Sequence, residues 1–284
     1  MNIFTSNGID FIKGPKTTSS VVNQPFSVTF DSNVIECVVS EDKAKHNGLS
    51  KIFYALREGV ISGYVTYSYF VHDTFKKDAR VRINTLSDGV EIHIPSNPLL
   101  YSKGLGMKVV QMATVPPDSY HCETAMALTL LNMKVLAFGR RHWPATTLSL
   151  PICEIPTDYD DRVNKARGII EDQLHCGFYR FREYMRNKVG KDCNDLSLLF
   201  QLKNVKLGRA FNRAFAEAAD GDALIAHYGY NIDFFCTKDE ASDAGPYAIF
   251  SQQHREILLE RLGMKIISPQ ELIEILEGKE SGNG

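Results

Sequence analysis

The chain has few cysteines and no cysteine pattern. Its six, Cys37, Cys122, Cys153, Cys176, Cys193 and Cys236, contain no CxxC pair and no zinc-ligand spacing, which argues against a zinc ribbon and a disulfide scaffold. They read as reduced core thiols, with Cys37 and Cys236 in strand-like runs. No apolar run reaches the ~18 residues needed to cross a bilayer, and the N-terminus lacks an apolar leader core. The expectation is a soluble, cytoplasmic protein with no membrane contact. An excess of one charge is missing too. With 32 basic against 34 acidic residues, the bulk field neither coats a nucleic acid nor traps an acidic substrate, so any anionic partner is held by local patches. The eight histidines form no HxxxH or HExxH pair, and no GxxxxGK[ST] loop occurs; zincin and P-loop chemistry are thereby unsupported. Internal repeats and low-complexity blocks are absent.

What remains is a core-forming composition, 44% hydrophobic over 284 residues, enough for one large α/β domain or two small ones. Residues 1–25 are rich in Ser, Thr, Asn and Gly and read as an irregular lead-in. From Phe26 to Phe30 a strand is expected. Leu49 to Gly59 has helical spacing and a Gly stop, and "VISGYVTYSYF" reads as the next strand. From about 84 to 200 the texture changes. A hairpin is expected around Ser87-Asp88-Gly89, with β-rich segments near Val109 to Met112 and Lys134 to Phe138. We read this stretch as a large insertion or an elaboration of the core sheet, with charged helical sequence returning over Asp158 to Lys188. Further helix is expected over Asp195 to Ala219. The last third alternates helix, strand, helix, strand: "DALIAHYGYN", "IDFFCTKD", "SQQHREILLERLG" and "MKIISP". That order predicts a parallel sheet.

Two of these strands finish on an acid, "VTFD" at Asp31 and "DFFCTKD" at Asp239. In open parallel sheets, ligands bind outside the carboxyl ends of strands where the strand order switches, so acids placed there converge. Asp222, expected to open the helix before the last acidic strand, borders the same edge. Crowded carboxylates call for a cation, and hard divalent ions such as Mg2+ or Mn2+ take oxygen ligands. Such an ion activates water and stabilises charge in phosphodiester displacement. The alternatives are structural. Asp31 in "DSN" is also good turn or cap chemistry, Asp222 is a plausible N-cap, and Asp239 could be a solvated loop acid.

"VTFDSNVI" resembles the opening motif of PIN-domain nucleases, "GDALIAHYGYNIDFFCTKDEA" their closing acidic pair, and "LGMKIISPQEL" their last strand. The resemblance covers the two outer thirds of the core. It implies a three-layer α/β/α PIN-like domain over residues 26–284, with a central, mainly parallel sheet and the internal insertion. It further implies a metal-dependent nuclease, acting on RNA. The family's second acid is usually Glu, after a strand carrying a hydroxyl residue. Here Thr66 and Asp73 stand in that place, with Asp78 and Glu58 as fallbacks, and Asp is one methylene shorter. By resemblance, Asp31, Asp73, Asp222 and Asp239 would hold one or two Mg2+ or Mn2+ ions, supported by Asn33 and Thr237. A catalytically inactive PIN-like module binding RNA or protein is the alternative. A homo-oligomer, or a protein inhibitor of the toxin and antitoxin kind, is also left open.

"FYRFREYMRNKVGK" interleaves Arg180, Arg182, Arg186 and Lys188 with aromatic residues, a combination used on single-stranded nucleic acid. The competing reading is an amphipathic helix with an aromatic inner face and a solvated basic face. Lys203, Lys206, Arg209 and Arg213 add positive charge upstream of Asp222. His72, His227 and the single tryptophan, Trp143, are read as packing or surface residues.

Overall fold

The structure is a computed structural model that describes residues 25–69, 119–137, 151–189, 209–240 and 248–281. The lead-in, the hairpin near Asp88, Asp73, Asp78, Trp143, Lys203 and Lys206 lie outside the described residues. Five strands form one sheet: β1 (Phe26–Phe30), β2 (Ile61–Thr66), β3 (Lys134–Leu136), β4 (Phe234–Cys236) and β5 (Lys265–Ile267). Their order is β3-β2-β1-β4-β5, and every pairing is parallel. The expected parallel sheet is therefore present. β1 is central, and the chain leaves it toward β2 on one side and returns through β4 on the other. The order switches at the β1/β4 pair.

Alternation of side chains along the strands sorts the helices into two layers. Val28 and Phe30 of β1 belong to a cluster with Val34 and Ile35 of α1 (Ser32–Val38), Ile52 and Leu56 of α3 (Ser50–Arg57), Leu128 of α4 (Ser119–Leu130) and Leu272 of α9 (Pro269–Ser281). α2 (Glu41–His46) joins α1 to α3. On the opposite face, Phe235 of β4 packs with Val163 of α5 (Tyr159–Arg167), Leu224 of α7 (Arg209–Gly229) and Leu258 of α8 (Gln252–Leu262). A π-helical turn, Gly168–Gln173, continues α5. Outside that layer α6 (Phe178–Val189) lies on α7, through Phe178, Phe181 and Met185 against Phe211 and Phe215.

Helix ends follow local chemistry. Gly59 and Gly263 take φ of 71° and 67° just beyond α3 and α8, the left-handed conformation that ends a helix at low steric cost. Several expectations are revised. β4 ends at Cys236, so Asp239 lies three residues beyond the strand. Cys37 is helical, in α1, because Asp31 stops the strand and starts a helix at once. Within the stretch from 84 to 200, β3 pairs with β2 and α4 packs in the central cluster, so its described part elaborates the core sheet. None of Cys37, Cys153, Cys176 and Cys236 is in a disulfide. Among the described residues no helix is long and apolar enough to cross a membrane.

Candidate carboxylate site

Asp31 sits directly after β1, at the point where the strand order switches. Its backbone N–H donates to the Cys236 carbonyl at 2.9 Å, extending the β1/β4 pairing by one step. Its extended backbone makes it the N-cap of α1, with its side chain accepting from the Ser32 N–H at 2.7 Å. The cap reading is thus realised without consuming the carboxylate. Oδ2 faces β4, where it accepts from the Thr237 hydroxyl at 2.6 Å and from Asn33 Nδ2 at 2.8 Å.

The same residues knit the two strand ends together. Asn33 Oδ1 accepts the Lys238 N–H at 3.0 Å, and Thr237 Oγ1 accepts the Asp239 N–H at 3.0 Å. The Thr237 N–H in turn donates to the Ile267 carbonyl of β5 at 3.0 Å. Asn33 and Thr237 therefore both bond Asp31 and the chain just after β4. Removal from water pushes the Asp31 carboxyl above its ordinary range. The donated bonds from Thr237 and Ser32 oppose that shift, and the nearby charge of Asp239 adds to it. A half-buried carboxylate whose ionised form is disfavoured by a second carboxylate is a setting that a cation relieves.

Asp222 does not open a helix. It lies deep inside the 21-residue α7 and is almost fully buried. The direction of α7 settles its surroundings. His227 Nδ1 meets the Thr29 hydroxyl of β1 at 3.0 Å, and its ring packs edge-on against Phe235. Past the helix, the Asp233 carboxylate accepts from both N–H and hydroxyl of Ser27, at the start of β1. α7 thus runs antiparallel to the strands. Five residues before His227, Asp222 is turned about 140° around the axis from that sheet contact. It is on the face of Gly229, where an added Cβ would meet Tyr159 and Val163 of α5, and its charge acts on Tyr159.

Asp220 precedes His227 by seven positions, two turns of helix, and so shares its side of α7 about 10 Å nearer the carboxyl edge of the sheet. In "DGDAL" only Asp220 is in helical register with the His227 contact to Thr29. Still, among the described residues no group of three or more His, Cys, Asp or Glu side chains stands close enough to hold a metal ion.

The histidine and basic-helix expectations are resolved by packing. His227 is buried, and burial depresses its pKa to about 3, so it is neutral at ordinary pH and serves packing. In α6, Phe178 and Phe181 point into the core, which removes them as platforms for bases. Arg186 and Lys188 are exposed, whereas Arg180 and Arg182 are half-buried. Arg180 pairs with Glu183 at 3.4 Å, and Arg182 lies over the Tyr179 ring. The amphipathic-helix reading holds, with a basic outer face that begins close to the site. Arg180 acts electrostatically on Glu217 of α7, which also feels Asp239.

No known protein family, curated protein or solved structure matches the chain.

Proposed function

We propose that the chain is a PIN-like, metal-dependent nuclease that hydrolyses phosphodiester bonds in RNA. The observation that carries this reading is the pairing of Asp31 with Asp239 at the β1/β4 switch point, bound together through Asn33 and Thr237. Crevices at such points are where open α/β sheets bind ligands. The donor set suits a hard divalent ion in kind: oxygen atoms only, with two like charges at one edge. In number it is incomplete among the described residues, with Asp73 outside them.

Asp31 and Asp239 would hold Mg2+ or Mn2+, Asp220 would approach from α7, and Asp222 would serve the helix wall. When bound, the ion supplies an activated water and stabilises the charge that grows on the phosphate. Thr237 and Asn33, both donating to Oδ2, would hold the Asp31 carboxylate at the edge. Arg186 and Lys188 would draw the anionic strand toward the edge. Asp31→Asn and Asp239→Asn should each retain a cooperative melt while losing Mn2+-dependent RNA cleavage. Wild-type cleavage by the double variant would sink the assignment. The shortfall of acids favours a second reading, a PIN-like binding module without catalysis. Calorimetric titration separates the two, since the module should take up no Mn2+ at millimolar concentration.

A further inference from the structure

Arg255, on α8, holds two backbone carbonyls. Its Nε–H donates to the Phe250 carbonyl at 2.9 Å, and an Nη2–H donates to the Asp239 carbonyl. The guanidinium also lies over the Phe250 ring. One planar cation thus links the chain just after β4 to the turn before α8. Arginine suits this task because its rigid fork directs several N–H donors from one charged group, where lysine offers a point charge.

The far side of the clamp is anchored. Ile249 and Phe250 are completely buried. The Ile249 N–H donates to Glu217 Oε1 at 3.0 Å, and His254 Nδ1 lies 2.9 Å from the Ala248 carbonyl. The Ser251 N–H closes the turn onto the same Ala248 carbonyl at 2.9 Å. The near side is Asp239, an exposed residue whose N–H also donates to Thr237 Oγ1. An immobile turn is therefore tied, through one side chain, to the backbone of an exposed acid at the site.

We propose that Arg255 is the positioning residue for Asp239: by gripping the Asp239 carbonyl from the anchored Phe250 turn, it keeps the Asp239 carboxylate beside Asp31. The inference rests on the nuclease reading for its consequence, not for its geometry. Arg255→Met preserves most of the side chain's apolar stem and removes every donor; Arg255→Lys restores the charge.

Two readouts on the full chain test it. Amide hydrogen exchange reports position without any metal. In Arg255→Met the Asp239 N–H should exchange about tenfold faster or more, the size expected for a lost charge-assisted bond. Amides of α1 should keep their wild-type rates. Mn2+ affinity by calorimetry should fall in Arg255→Met and recover in part in Arg255→Lys. Leu276→Val, in the cluster on the other face of the sheet, controls for lost stability. Unchanged Asp239 exchange in Arg255→Met overturns the proposal, as does an equal change in a Leu276→Val variant of matched melting temperature. If the wild type binds no Mn2+, the metal reading fails, and the exchange result alone decides the role of Arg255.

Discussion

At the scale of single residues, Thr237 is the side chain that joins Asp31 to the backbone of Asp239. Its hydroxyl donates to Asp31 Oδ2 at 2.6 Å and accepts the Asp239 N–H at 3.0 Å, and the residue is buried. Deleting the hydroxyl leaves the half-buried Asp31 carboxylate one donor short and takes one acceptor from the Asp239 N–H. Such losses cost about 1–3 kcal/mol each when the orphaned group stays buried. Thr237→Val keeps the shape and should lower stability in urea unfolding by about 2 kcal/mol or more, whereas Thr237→Ser should recover most of it. A Val variant as stable as wild type would mean that Asp31 is solvated from elsewhere. The same residue shows what the sequence could disclose. "FDSN" and "CTKD" carry the two acids that the fold brings to one edge, because strand ends and caps are local, while the bonds between the segments span some two hundred residues. The choice between Asp220 and Asp222 is not local. It depends on which face of α7 meets the sheet, and in "AADGDALIAHYG" nearly every position from Gly221 to Gly229 is buried, so no polar face marks the outside.

At the scale of elements, α7 is enclosed on several sides, and its glycines show how closely. A Cβ built on Gly221 would come 2.6 Å from the Gly177 Cα. That atom is backbone, so relief requires moving the approach to α6 rather than turning a side chain. Gly177 has its own constraint, a φ of 61°. Overpacking of this kind costs about 1–3 kcal/mol. Gly221→Ala should lower the melting temperature and loosen α6, read as faster amide exchange over Phe178–Val189 than in the sheet. If only the sheet responds, the contact is misassigned. This close approach explains part of the sequence reading's difficulty with the basic helix. The interleaved Arg and aromatic residues of α6 looked equally suited to nucleic acid or to a core. The answer lies in α7, whose Phe211 and Phe215 receive Phe181. A partner outside the segment cannot be read from the segment. By contrast, β1, α8 and β5 were legible because each has its own punctuation: Asp31 after the first, Gly263 between the other two.

At the scale of the molecule, one acid, Glu217, ties three helical elements together. From α7 it accepts the Gly177 N–H at 3.4 Å and the Ile249 N–H at 3.0 Å, tying together the approaches to α6 and α8. The strands and helices it connects were expected from sequence, but nothing in "AFAEAAD" separates this glutamate from a solvated one. Burial raises its pKa to about 7, against the donated N–H bonds and Arg180 that pull it down. The consequence for stability has a definite sign. In the unfolded chain Glu217 loses its proton near 4.5; in the folded chain it keeps it to about 7. Between those values the native state binds more protons than the unfolded one, so stability falls as pH rises and levels off above the folded pKa. The loss amounts to at most about 3 kcal/mol, from one pKa unit being worth about 1.4 kcal/mol. Glu217→Gln keeps an oxygen to accept both N–H groups and cannot ionise. Its melting temperature should track the wild type near pH 4.5 and exceed it increasingly up to pH 8, the difference flattening above about 7. Because the other carboxyls titrate in both proteins, the difference between the two curves isolates this one. Parallel curves from pH 4.5 to 8 would show that Glu217 ionises in the fold as freely as in the unfolded chain, and that the joint it makes between α6, α7 and α8 is open to water.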